Sequence, residues 1–484
     1  MDQVNAVLLP QVSSQMSPEE TQALLKLYVA NPVFRSATDQ ELIIQDNPYR
    51  RAVRPQDLEF LDYRKPPLKA HQVLYLRALI GHRMLFNIYE TDLVFLPSSD
   101  DPSVWREFEL FYSSDNKVLG ERVRPALETH LFNFLDEEPG PSESWSADSL
   151  KEYFCSVHQS YKRSKCRVVD AVLTAHNRER VATTFLIQLL GTYLSGIPAI
   201  ARGLLGDYGS IQAQLAQSLT NGRYTFDSHA AKRITQLKNM VRSCGLSDQP
   251  HTYWQFYLSS SLALANYSHY VARDHSKFFR YIGALFYQEM RFDALREQLS
   301  RMLHEIFGQR IDTGYFDESR HVVQGYAQAA FDELITPLLT LYGNRIVQDV
   351  ARGFEDFRRL HEIAEEDFIV QVTWADQPDL YKERARRIYD KIRTENLQVP
   401  LDTFVEHESE TSTTHTHDLD RLLVIETGVM HFWSSFGPPM VFNPGDMTLV
   451  PRQRLHGSTV LSGECTYHQP IISPELMREF EKMF

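Results

Sequence analysis

Three histidines constrain the fold of this 484-residue chain more than any other feature: His415 and His417, separated by one residue, and His456. Side chains two positions apart on a β-strand point to the same face, so His415 and His417 present adjacent imidazoles to the interior of a barrel. His456, on a neighbouring strand, completes a trio. Three neutral imidazoles opposite open positions suit divalent iron that binds substrate and O2 together, although zinc, copper and nickel accept the same ligands. The pattern predicts a catalytic metal site.

The spacing around this trio resembles the two-motif pattern of the cupin barrel. Gly428 lies at the distance expected for a turn, five residues separate Gly445 from Pro451, and His456 follows Pro451 by five positions. Cupins usually carry a fourth ligand, Glu, where this chain has Arg421. A guanidinium stays charged and cannot bind a metal, so an ion here would have three protein ligands and a nearby cation for a carboxylate or oxyanion. The alternative is a metal-free barrel whose histidines only pack or form hydrogen bonds.

Composition limits the partners and the cellular compartment. The net charge of -13 and the absence of long basic runs predict neither a nucleic-acid nor a membrane partner. Four cysteines without CxxC spacing, and a start that lacks a signal peptide, favour a cytoplasmic location. The uncharged stretch 182–201 is long enough to span a bilayer, but its polar residues and Pro198 favour a buried helix.

Periodicity divides the chain into three parts, as its length also predicts, since single cores rarely exceed roughly 250 residues. Helical patterns fill residues 1–140, and a Pro/Ser/Glu-rich run interrupts them near residue 140. Residues 141–395 again read as long helices, including 251–269 and 319–342, and form a predicted bundle. Residues 396–484 show short apolar runs broken by Gly and Pro, which indicate the barrel. The expected fold is therefore multidomain α + β.

Five segments are similar to the N-nitrosourea-forming metalloenzyme family of streptozotocin biosynthesis, and the likeness covers nearly the whole chain. They are Asn47-Pro-Tyr-Arg-Arg51, Tyr89-Glu-Thr-Asp-Leu-Val94, Leu119-Gly-Glu-Arg-Val-Arg-Pro-Ala-Leu127, Tyr253-Trp-Gln-Phe-Tyr257 and Phe278-Phe-Arg-Tyr-Ile-Gly-Ala-Leu285. The resemblance implies a helical dimerisation region and hence a homodimer, a heme-oxygenase-like di-iron domain that N-hydroxylates an N-methylarginine, and a cupin with one iron that rearranges the product into an N-nitroso compound. It also implies that His415, His417 and His456 bind the cupin iron.

The middle domain departs from the family at the di-iron ligands. One helix of the family carries His, Asp and His at i, i+4 and i+7, where this chain has Ser319, Val323 and Tyr326, and two carboxylates correspond to Gly196 and about Leu219. Only His229 and Glu289 remain, and we expect them to bond to each other or to neighbours such as Tyr287. Two ligands cannot hold two irons, so this degenerate site predicts a scaffold domain. A relocated site would draw on Glu318, His321, His269 and His361.

The resemblance then leaves the chemistry to the cupin. It implies that Fe(II), one per chain, and O2 as co-substrate convert an N-hydroxylated arginine into a product with an N–N bond. A separate arginine hydroxylase would supply that substrate, and the product would be N-nitroso or a diazeniumdiolate such as the siderophore amino acid graminine. Two alternatives remain open: an active di-iron N-hydroxylase of arginine, and a non-catalytic partner of the separate hydroxylase.

Two further side chains are candidate catalytic residues. Tyr467 either donates a hydrogen bond to an oxygen at the metal or fills the barrel as an ordinary aromatic residue. Arg421 either binds the substrate carboxylate or pairs with Asp418 or Asp420 at the rim. His431 and His468 are predicted to be ordinary barrel residues, and His407 lies outside the motif.

Overall fold

The computed structural model describes residues 16–33, 47–49, 53, 55–63, 65–97, 99–137, 145–203, 233–317, 326–434 and 440–484. Helices occupy the chain up to Thr394, and the strands follow. The helices are α1 Pro18–Val29, α2 Leu76–Glu90, α3 Pro102–Phe111, α4 Ser114–Glu137, α5 Ala147–Arg163, α6 Arg167–Thr174, α7 Arg178–Gly203, α8 Arg233–Ser243, α9 Ser259–Arg273, α10 Phe278–Phe307, α11 Gly314–Asp317, α12 Tyr326–Leu334, α13 Thr336–Tyr342, α14 Val347–Ala375, α15 Pro378–Thr394 and α16 Pro474–Glu481.

The predicted continuous helix over 251–269 is wrong. A 3-10 helix, Pro250–Phe256, ends before an extended segment at Tyr257 and Leu258, and α9 begins only afterwards. The side chain of Gln188 in α7 bonds to Phe256 O at 2.9 Å and accepts from Leu258 N at 3.1 Å, so the break leaves both backbone groups paired.

Two further stretches of the helical region were predicted from the sequence, the helix 319–342 and the uncharged stretch 182–201. The predicted helix 319–342 lies partly outside the described residues, and the described remainder forms two helices, α12 and α13, with a proline at the start of α13. The uncharged stretch 182–201 lies within α7. Among the described helices, none combines the length and the apolar character that a membrane crossing requires.

The helices share a core across the predicted boundary near residue 140. One hydrophobic cluster joins Leu24 and Leu131, before that boundary, to Phe154, Phe286 and Phe354 after it. The connecting run 138–144 lies outside the described residues, and the division into domains stays a prediction. At the centre α10 crosses α14 so closely that a Cβ on Gly353 would overlap the backbone carbonyl of Arg280.

The strands of the C-terminal region are β1 Leu401–His407, β2 Thr411–His415, β3 Asp420–Thr427, β4 Met430–Ser434, β5 Met440–Phe442, β6 Met447–Val450, β7 His456–Val460 and β8 Glu464–Ile472. They form two four-stranded antiparallel sheets, ordered β1-β8-β3-β6 and β2-β7-β4-β5. Between the strands that are described, the pairings leave the sheets unclosed. A helical region followed by a cupin-like β domain confirms the predicted fold class.

The β domain packs against the helices on two sides. Leu422, Val424 and Leu449 on the outer face of the first sheet pack on Ala385 and Ile388 of α15. On the other side, Trp433 and Leu455 are buried in a core cluster of the helical region. The long-range contact between the two regions determines the environment of the three histidines.

Candidate metal centre

The three predicted ligands meet at one end of the second sheet. Antiparallel pairing of β2 and β7 sets His415 directly opposite His456. The ring centroids of His415, His417 and His456 lie 4.5 to 4.9 Å apart. Each ring offers one nitrogen, and these nitrogens all lie within 4.8 Å of one another. In the part of the chain that the structure describes, this is the one group of three or more His, Cys, Asp or Glu side chains able to hold a metal ion.

Backbone carbonyls orient two of the rings. His415 Nδ1 lies 2.9 Å from Thr413 O, and His456 Nδ1 lies 2.8 Å from Arg454 O. Because a carbonyl only accepts, each Nδ1 carries the hydrogen and each Nε2 keeps its lone pair for a metal. The Nε2 atom of His417 is buried and has no hydrogen-bond partner among the described residues. These features fit a divalent ion with three imidazole ligands better than a trio that only packs.

The surroundings keep two of the imidazoles neutral. Burial, followed by the neighbouring His415 and His456, holds the pKa of His417 well below its ordinary value. Burial likewise holds the pKa of His456 well below its ordinary value, with a further contribution from His415. Phe432 lies against the His456 ring at 5.6 Å, and Trp374 of α14 contacts it at 6.4 Å. Since only a neutral imidazole binds a metal, His417 and His456 are in the form that binds one at neutral pH.

Arg421 does not pair with either of the rim carboxylates expected for it. Its Nη1 bonds to Asp402 Oδ2 at 2.8 Å and to Gln469 Oε1 at 2.9 Å. Asp420, the residue before Arg421 in β3, points to the opposite face of the strand, and its carboxylate accepts a hydrogen bond from Arg452 N. The Asp418 carboxylate accepts a hydrogen bond from Leu76 N. The guanidinium also contributes to the low pKa of His417, so its charge acts on the metal site.

Tyr467 belongs to the core between the two sheets. Its hydroxyl donates to Glu406 Oε1 at 2.9 Å, and its ring stacks on Phe404 at 5.1 Å. Burial and the Glu406 carboxylate raise the pKa of Tyr467. These contacts are those of a packed aromatic residue with a satisfied hydroxyl, and a catalytic role for it stays a prediction.

The remaining barrel histidines stay apart from the trio. His468 bonds to Thr403 and Glu426, and His407 lies near Glu464. His431 of β4 lies opposite Thr459 of β7. Because neighbouring residues of a strand point to opposite faces, His431 points away from the face on which Phe432 is buried.

In the helical region, Glu289 is held by a cation that the sequence did not indicate. Arg233 Nη1 lies 3.3 and 3.1 Å from the two carboxylate oxygens, and both side chains are buried. Arg233 also lies over the Phe292 ring at 4.3 Å. Tyr287, an expected partner of Glu289, bonds instead to Tyr161.

The other predicted positions of that site have separate surroundings. Tyr326 lies near the His158 ring, His269 stacks on Tyr89, and His361 packs against Tyr287 and Phe357. Gly196 lies in α7. Leu219, His229, Glu318, Ser319, His321 and Val323 lie outside the described residues. Among the described helical residues, no metal-binding group is found.

Sequence reasoning missed the helical side chains that contact the histidine-bearing segments. Gln371 bonds to Leu455, which precedes His456, and Arg83 and Gln255 bond to Thr414, which precedes His415. Each lies within an ordinary helical pattern, between 84 and 331 positions from its partner. No local signal marks such a residue.

These observations define a two-part protein, a helical region joined to a cupin-like β domain with a candidate three-histidine metal centre. No model of an established protein family matches the chain. Nitrosourea synthase of Streptomyces achromogenes subsp. streptozoticus is 37% identical over 459 residues, which cover 95% of this chain and 96% of the relative. The chain belongs to the nitrosourea synthase family and is an enzyme.

Proposed function

We propose that this enzyme forms an N–N bond by oxidative rearrangement of an N-hydroxylated arginine, at one iron bound by His415, His417 and His456. The relationship to nitrosourea synthase supports the reaction class. The observation that carries the proposed site is the convergence of the three imidazole nitrogens within 4.8 Å. We also propose that the enzyme acts in the cytoplasm and, as the family resemblance implies, as a homodimer.

The protein's contribution at the proposed site is orientation and charge. His415 and His456 donate Nδ1–H to Thr413 O and Arg454 O, which fixes the direction of both rings. Burial keeps His417 and His456 neutral. When bound, Fe(II) would supply redox capacity and open positions for the substrate and O2.

Arg421 and Tyr467 are the proposed substrate contacts. They lie on the same face of neighbouring strands, because Arg421 pairs with Ile471 of β8, four positions from Tyr467. Arg421 Nε is buried and has no hydrogen-bond partner among the described residues, so the guanidinium retains a donor for a carboxylate. In this proposal Arg421 binds the substrate carboxylate, and the Tyr467 hydroxyl, after leaving Glu406, contacts the oxidised nitrogen group.

The finer proposal concerns the substrate's origin and the product. Because the carboxylate of Glu289 is held by Arg233, a hydroxylation site built on it is disfavoured. We propose that a separate arginine hydroxylase supplies the substrate and that the product is a diazeniumdiolate amino acid such as graminine.

The direct test is to supply N-hydroxyarginine, labelled with 15N in its guanidine group, to purified protein with Fe(II) and O2. We expect a product whose mass and fragments contain two bonded labelled nitrogens. His417→Ala should abolish this product, whereas His468→Ala, which alters a surface histidine bonded to Glu426, should retain it. Absence of an N–N product from every N-hydroxylated arginine tested would refute the proposal.

Metal analysis and an unhydroxylated substrate distinguish the rival functions. The proposal predicts about one iron per chain and no turnover of arginine, whereas an active di-iron hydroxylase would bind about three and make hydroxyarginine. A non-catalytic partner of the hydroxylase would instead leave pathway output unchanged in His415→Ala and His456→Ala.

A further inference from the structure

A buried glutamine of the helical region holds the backbone next to His456. Gln371 lies in α14 and is fully buried. Its Nε2 donates to Leu455 O at 3.1 Å, and Leu455 N donates to its Oε1 at 3.0 Å. One side chain therefore pairs both backbone polar groups of the residue that directly precedes His456.

This arrangement substitutes for strand pairing. β7 begins at His456, so Leu455 has no partner in the described ladders. Its buried N–H and C=O would each cost about 1–3 kcal/mol if left unpaired, which gives the Gln371 bonds a strong hold on this segment. The carbonyl that orients the His456 ring belongs to the adjacent Arg454. The backbone segment that Gln371 holds therefore fixes both the place where the His456 side chain begins and the direction in which its imidazole points.

A second contact of the same kind lies next to His415. Arg83 of α2 donates from Nη1 to Thr414 O at 2.7 Å and from Nη2 to Thr414 Oγ1 at 2.9 Å. Thr414 N in turn donates to Gln255 Oε1 at 3.1 Å. Arg83 is fully buried, and its charge-assisted bonds are of the stronger class. The strands on both sides of the trio are therefore anchored to helices.

We propose that Gln371 is a positioning residue of the metal centre, through which the helical region aims His456 at the ion. Metal sites need their ligands held within about 0.5 Å, and groups that orient ligands typically contribute 10–100-fold in metal affinity. This inference rests on the proposed three-histidine site. It assigns to the helical region a role in metal binding that requires no metal of its own.

The test replaces Gln371 with methionine, which keeps the side-chain length and removes both hydrogen bonds. Co(II), a spectroscopic substitute for iron, is titrated into metal-free protein, and both its affinity and its visible spectrum are recorded. The control is Gln298→Met, because the Gln298 amide likewise accepts from one backbone N–H, that of Cys166, and donates to one backbone carbonyl, that of Ser164, away from the β domain. Circular dichroism verifies that each variant is folded.

We expect Gln371→Met to weaken Co(II) binding by about tenfold or more and to alter the spectrum, whereas Gln298→Met should leave both unchanged. If Gln371→Met does not fold, Gln371→Asn, which keeps the amide donor and acceptor on a side chain shorter by one methylene, should show a smaller shift in the same direction. Wild-type affinity and spectrum in a folded Gln371 variant would overturn the inference while leaving the proposed function intact. Failure of the wild-type protein to bind Co(II) would instead contradict the proposed metal centre itself.

Discussion

The guanidinium of Arg233 contacts both carboxylate oxygens of Glu289, at 3.3 and 3.1 Å, in the interior of the helical region. The Arg233 guanidinium thereby balances the charge of this buried carboxylate. The helical region can therefore bury Glu289 without a metal ion, at the cost of making each member of the pair dependent on the other.

Removing one member of this pair should destabilise the protein strongly. We expect Arg233→Met to lower the free energy of unfolding by about 3–5 kcal/mol, because it removes the guanidinium that pairs with a buried carboxylate. The double variant Arg233→Met/Glu289→Met should recover most of that loss. Urea denaturation measures all three values. As a control, Arg167→Met breaks an exposed pair with Glu366 and should cost at most about 1 kcal/mol. A double variant as unstable as Arg233→Met would show that the charge pairing is not the cause.

Metal binding should stabilise the folded protein through the histidine trio alone. A ligand at about 100 times its Kd adds about 2.7 kcal/mol of stability, so Co(II) or Fe(II) should raise the melting temperature, and a chelator should reverse the increase. Differential scanning fluorimetry measures both changes. In His417→Ala the increase should be absent, since the trio loses a buried nitrogen that has no hydrogen-bond partner among the described residues. An undiminished increase in that variant would place the stabilising metal elsewhere.

The metal-free protein should lose stability as the pH falls from 7 to 5. Burial lowers the pKa of His82 to about 3, and of His130 and His269 to about 4. In the unfolded chain a histidine has a pKa of roughly 6.5, so below that pH the unfolded chain binds protons that the buried histidines of the folded protein do not. The free energy of unfolding is therefore full above pH ~6.5 and declines as the pH falls toward the folded pKa. At pH 5 each of these three histidines lowers the free energy of unfolding by roughly 2 kcal/mol. Asp367, whose pKa burial raises to about 6, works in the opposite direction and offsets part of the loss.

Urea denaturation at pH 7 and pH 5 checks this dependence. His269→Gln removes one titrating ring, which is stacked on Tyr89, and should reduce the difference between the two pH values. The comparison uses only that difference, so any loss of stability common to both conditions cancels. An equal difference in the wild-type protein and the variant would exclude His269 as a contributor.

The crossing of α10 and α14 should not tolerate a methyl group. A Cβ on Gly353 would overlap the backbone carbonyl of Arg280, and a backbone atom cannot readily move away. We expect Gly353→Ala to cost about 1–3 kcal/mol or more of stability, as overpacked cores do. Gly463→Ala is the control, because a Cβ there meets open space. Equal melting temperatures of the two variants would contradict the close crossing.

The spacing of the histidines predicted that the three rings lie together, and they do. The strand assumed for His415 and His417 is only partly correct, because β2 ends at His415 and His417 lies two residues beyond it. For Arg421, the alternative of a pair with Asp418 or Asp420 came from proximity in sequence and is wrong, because the sheet brings Asp402 to Arg421 across the intervening strand β8. The break before α9 escaped prediction because the bonds from Gln188 that satisfy it come from another helix.

The sequence by itself determined the helical region, the β domain and which three histidines come together, because residue types and their spacing carry that information. Only the tertiary structure decided which atoms hold those imidazoles. Gln371 and Arg83 reach Leu455 and Thr414 because packing joins helices to strands that are far apart in the chain. Contacts of this kind depend on how whole elements pack, and a chain's local pattern carries no record of them.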